Sequence, residues 1–147
     1  MDKDRLFRWF SAVLIVILLV AVRIMEKEWF PEPLIDFFAS DDYLTQALPA
    51  MGFADVFNTF LRYAVNSVLS VWLLYLLFHD KELTRWAVKF YTVAGIILFI
   101  LYLILLWTYS AGHYRLLFYT RRLLVQPLFL FILLPGFYFI RSLQKNK

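Results

Sequence analysis

Apolar residues in this chain run together instead of alternating. Four predominantly apolar segments, at about 6–25, 57–78, 87–110 and 114–140, are separated by stretches rich in charge or proline. A helix of about 20 such residues crosses the hydrocarbon core of a bilayer, and only helices or closed barrels satisfy their backbone there. The pattern predicts an all-α fold, an integral membrane four-helix bundle forming one domain over residues 1–147.

The first segment is uncharged from Ser11 to Val22, with Arg8 and Arg23 at its flanks. No small-x-small pair follows it, so it reads as an uncleaved spanning helix and not as a signal peptide. Asp55 is placed to cap the second segment, and Asp80 to cap an interfacial lead-in to the third through Glu82, Arg85 and Trp86. Gly112 stands where the third would end. Pro127 predicts a kink in the fourth, because it removes one backbone N–H. The long outer connection between helices 1 and 2, about 26–54, carries Pro31, Pro33 and the apolar residues Leu34, Ile35, Phe37 and Phe38. Short amphipathic pieces of this kind are expected on the membrane surface.

Composition narrows the function. Hydrophobic residues make up 63% of the chain and charged residues 18%, and the mean hydropathy is +0.69. A soluble domain of 147 residues has too little interior to hide that much apolar surface. A soluble enzyme, a disordered tail and a nucleic-acid module are excluded. With no cysteine and two separated histidines, His79 and His113, neither a disulfide framework nor a metal site is expected, and no cofactor is called for.

With four spans the termini share a side. That side collects Lys3, Arg5, Arg8, Lys81, Arg85, Lys89, Arg141, Lys145 and Lys147, against Arg23, Lys27, Arg62, Arg115, Arg121 and Arg122 on the other. The bias predicts both termini in the cytoplasm, N-in and C-in.

Several polar residues interrupt the apolar runs at matching depth. Stepping outward at about 1.5 Å per residue from the cytoplasmic flank of each helix, Arg62, Asn66, Arg122, Gln126, Arg23 and Glu26 all fall roughly 20–28 Å out, in the outer third of a core about 30 Å thick. Arg62, Asn66 and Ser70 share a face at i, i+4, i+8, and Arg122 and Gln126 are also i, i+4. Three readings follow: arginines snorkelling to headgroups, a structural Arg–Glu network, or a cluster that binds an anion or a partner's carboxylate. Asn66 and Gln126 reach too little to snorkel and so favour the last two. In the binding reading Arg62, Asn66, Arg122 and Gln126 converge, Arg121 sits at the rim, and Glu26 or Glu28 supplies counter-charge.

No catalytic constellation emerges. Ser110-Ala-Gly-His113 has a faint likeness to a lipid-phosphatase motif but lacks its second histidine and its Lys and Arg-Pro elements. No nucleophile elbow is present. A non-enzyme, or a subunit of an enzyme, is the expectation.

Three stretches carry a family resemblance: Pro31-Glu-Pro-Leu-Ile-Asp-Phe-Phe38, Phe60-Leu-Arg-Tyr-Ala-Val-Asn-Ser67, and the run from Leu117 to Tyr138 with Arg121-Arg-Leu-Leu-Val-Gln-Pro127 at its centre. Together they resemble the exosortase F system-associated proteins, small membrane proteins encoded beside an exosortase in flavobacteria and relatives. Exosortases are membrane transpeptidases that use Cys, Arg and His. This chain has no Cys. The resemblance implies an accessory protein of the bacterial cell inner membrane, surrounded by membrane lipids, with an exosortase or its substrate as partner. It carries over no catalytic residue. A small protein that binds an anionic lipid headgroup at the same cluster is the alternative.

Overall fold

The computed structural model describes residues 2–108 and 114–147. Among them are seven helices and no strand: α1 (Lys3–Ile24), α2 (Glu26–Trp29), α3 (Pro33–Ala39), α4 (Phe53–Phe78), α5 (Lys81–Trp107), α6 (Tyr114–Val125) and α7 (Leu128–Lys145). Four of them, α1, α4, α5 and α7, are long and apolar enough to cross a membrane. The chain is a multi-pass membrane protein built as an all-α four-helix bundle.

The helices start and stop for local reasons. Asp80 caps α5, accepting the N–H of Glu82 at 2.8 Å and of Leu83 at 3.2 Å. The expected lead-in is the first turn of α5 itself, continuous to Trp107. Before it, His79 takes the left-handed conformation (φ 51°) that commonly ends a helix and turns the chain back on itself. Asp55 is not the cap of α4. The helix begins two residues earlier, and Asp55 accepts the N–H of Gly52 at 2.8 Å from inside the first turn. Ser110, Gly112 and His113 lie outside the described residues.

Both chain termini sit at one end of the bundle. Arg8 donates to the carbonyl of Leu76 from Nε (3.3 Å) and Nη2 (3.0 Å), and Arg141 donates to that of Phe78 at 2.9 Å. The start of α1 and the finish of α7 therefore meet the C-terminal end of α4. This is the terminal end, and the other is the far end. Outward positions such as Phe7, Val13, Ile17, Val68, Ile97, Phe131 and Phe139 are exposed and apolar, as a lipid-facing surface requires.

The fourth apolar segment is broken, not kinked. α6 stops at Val125 and α7 starts at Leu128. Pro127 has no N–H to continue the ladder, and Leu128 donates instead to Gln126 at 2.8 Å, a tighter turn. The break divides the interior. Towards the terminal end, Ala12, Ile15, Leu19, Leu73, Leu74, Phe78, Ala87, Leu130 and Phe137 pack together. Towards the far end a second core contains Leu34, Phe37, Tyr102, Leu105, Tyr114, Leu117 and Leu124.

Leu34 and Phe37 in that second core correct the expectation for the outer connection. α2 buries nothing, but α3 buries Leu34, Ile35 and Phe37 against the bundle instead of lying free on the membrane surface. α3 lays Phe37 and Phe38 edge-on against Tyr114 and Phe118 of α6, which reaches only part of the way through the bundle and leaves room for it.

Candidate functional site

The inward face of α4 changes character along its length. Its last two turns bury Leu73, Leu74 and Phe78, whereas the turns before them bury Thr59, Arg62, Asn66 and Ser70. These four recur at helical spacing, so the polar stripe is continuous and faces the interior. The face read from Arg62, Asn66 and Ser70 in the sequence is the one the structure buries, and Thr59 extends it by one turn.

The stripe latches the outer connection. Asn58 donates to the carbonyl of Pro31 at 2.9 Å. Thr59 Oγ1 donates to Glu32 Oε2 at 2.5 Å, and the Tyr102 hydroxyl lies 3.4 Å from the same Thr59 oxygen. Arg62 Nη2 pairs with Glu26 Oε2. Arg121, from α6, pairs with Glu32 Oε1. Glu32 thus has both carboxylate oxygens engaged, one by a guanidinium and one by a hydroxyl, and it is buried at 7% exposure. The chain itself aims it there: Glu32 precedes Pro33, which confines it to extended backbone (φ −152°, ψ 144°). Arg121 and Glu32 lie within electrostatic reach of Arg62, so two cations and two anions form one compensated group. Phe38 stacks its ring beside the Arg121 guanidinium at 6.0 Å.

Asn66 serves a different partner. Its side-chain amide donates to the main-chain carbonyl of Val125 at 2.8 Å, where α6 ends. That carbonyl is one of the orphans every helix C-terminus leaves.

The two neighbouring arginines exchange their expected places. Arg121, expected at the rim, is buried in the ion-pair group. Arg122, expected inside with Arg62, is exposed, and its Nε donates to Gln126 Oε1 at 3.1 Å. One helix position is a rotation of about 100°, so only one of two consecutive residues can face in. Gln126 is half-buried and bonded to its own helix turn instead of converging with Arg62. Of the two proposed counter-charges Glu26 takes the role, while Glu28 is exposed and makes no ion pair among the described residues. Asp36 pairs with exposed Lys27 at 2.6 Å, and this contact holds the Lys27 ammonium above its usual pKa.

Glu32, Thr59 and Tyr102 were missed in the sequence. A signal for the first existed in an acid flanked by Pro31 and Pro33, and for the second in a hydroxyl one turn before a buried arginine. No group of three or more His, Cys, Asp or Glu among the described residues could hold a metal ion.

With its charges matched, the buried group has no net charge for an incoming anion to neutralise. Arg62 Nε and Nη1 and Arg121 Nε are buried without a partner among the described residues, whereas Arg122 is exposed, its terminal guanidinium nitrogens likewise without a partner there, beside Gln126 and next to the helix break. No protein-family model, no curated protein and no solved structure matches this chain.

Proposed function

We propose that the chain is a non-catalytic accessory protein of an exosortase-type sorting system in the bacterial inner membrane, and that it docks an acidic group of the transpeptidase or its substrate at Arg122 and Gln126. The observation that carries the reading is the division of labour among the arginines. Arg62 and Arg121 are buried and ion-paired with Glu26 and Glu32, which leaves their unpaired nitrogens out of reach, whereas Arg122 is exposed and has no acid partner among the described residues. A guanidinium held through Nε keeps its two terminal nitrogens for a carboxylate or phosphate. The resemblance in the second and fourth segments supplies the biological setting.

The test is co-purification of the exosortase with the tagged chain from native membranes, in wild type, Arg122→Lys and Arg122→Gln, with protein abundance checked. Capture that is weakened in Arg122→Lys and lost in Arg122→Gln supports docking through the fork. Equal capture by all three, or no capture by wild type, overturns it. Anionic lipid retained by wild type without any protein would place the alternative, a headgroup at this rim, in its stead.

A further inference from the structure

At the terminal end, two grooves flank α7 and differ in charge. One, between α5 and α7, is edged by Asp80 and Glu82. The other, between α1, α4 and α7, has a volume of about 520 Å³ and gathers Arg5, Arg8, Arg141 and Lys145 around its mouth. No acid lines it. Trp9 and Tyr138 stand at its sides, and Ala12, Leu77 and Leu134 make its wall.

The four cations are not equivalent. Arg8 and Arg141 are tied to the Leu76 and Phe78 carbonyls, which fixes two positive charges against the end of α4. The carbonyl end of a helix draws such charges. Arg5 and Lys145 lie one turn nearer the aqueous face, exposed, with no side-chain ion pair or hydrogen bond among the described residues. A general excess of Lys and Arg on the cytoplasmic side would not require this segregation, because Lys81 and Arg85 lie at the same end outside the groove.

We infer that this groove is a binding site for an anionic phospholipid of the leaflet at the terminal end, with the phosphodiester held by Arg5, Lys145 and the fixed guanidinia of Arg8 and Arg141, and the acyl chains lying along Ala12, Leu77 and Leu134. Basic pockets between membrane helices take such headgroups, and the aromatic pair offers the amphipathic rim that the interface favours. The site lies at the end of the bundle opposite Arg122 and is independent of the docking reading.

The test uses the full-length protein in nanodiscs of phosphatidylethanolamine doped with phosphatidylglycerol, with lipid retained on the protein read by native mass spectrometry. Wild type should retain phosphatidylglycerol over phosphatidylethanolamine. The double variant Arg5→Gln/Lys145→Gln should weaken that preference about thirtyfold, at roughly fivefold per interfacial cation. The charge-matched control Lys81→Gln/Arg85→Gln should keep it. Loss of preference in the control as large as in the groove variant, or no preference in wild type, overturns the site. Full displacement by free glycerol phosphate would overturn the lipid and leave an anion site only.

Discussion

The Asn66 side chain closes a helix to which it does not belong. Its amide, 2.8 Å from the Val125 carbonyl, takes the place of the backbone N–H that the Pro127 break denies to the end of α6. A lipid-facing break would have no such partner, so a discontinuous span is possible here only because α4 turns a polar face towards it.

Asn66→Leu should therefore cost about 1–3 kcal/mol, the penalty of leaving a buried carbonyl unpaired. Thermal unfolding in detergent checks this. A melting point equal to that of wild type would show that water or another group serves Val125.

The buried ion pair between Glu32 and Arg121 makes a sharper case. Removing one partner leaves an uncompensated charge, and each of Arg121→Ala and Glu32→Ala should destabilise by about 3–5 kcal/mol. The double variant should be less harmful than the sum, because the second substitution removes the orphan left by the first. Additive losses would mean that the two side chains do not act on one another.

Gly95 and Tyr63 test the packing of α4 on α5. A Cβ at position 95 would come within 2.4 Å of the Tyr63 ring, whose hydroxyl donates to the Tyr91 carbonyl at 2.5 Å. Gly95→Ala should cost about 1–3 kcal/mol through overpacking, and Tyr63→Ala in the same chain should recover part of it. A tolerated Gly95→Ala on its own would place the ring elsewhere.

Topology follows from the charge bias and the four spans. Reporters fused after Lys147 and inserted between Asp41 and Asp42 should report opposite sides of the membrane, the first cytoplasmic. The same side for both would remove one of the spans.

The spans and the polar face of α4 were legible because each rests on regular helical spacing. Arg62, Asn66 and Ser70 lie on one uninterrupted helix, so their shared face is a matter of counting. What failed to read through was phase across a break. Pro127 marked a discontinuity, but the rotation of α6 about its own axis is set by tertiary packing of Leu117 and Leu124, and that rotation decides between Arg121 and Arg122. Glu32 was hidden for a related reason. It lies outside any long helix, and its direction comes from the extended backbone before Pro33 and from where α3 packs.

The broken fourth span bears on how the protein is made. α6 carries Arg115, Arg121 and Arg122 within 12 residues, a composition the insertion machinery would not accept as a membrane helix by itself. Its Arg121 finds a carboxylate, and its last carbonyl an amide, only on parts of the chain synthesised earlier. The first half of the polypeptide thus acts as the receptor for α6, which can settle at depth only after α1, α3 and α4 are assembled and α7 has emerged to anchor its other end. Because the chain has no cysteine of its own, a cysteine pair placed at positions 38 and 118, where α3 meets α6 and Glu32 and Arg121 stay in place, is unambiguous, and it should crosslink only in nascent chains long enough to have released α7.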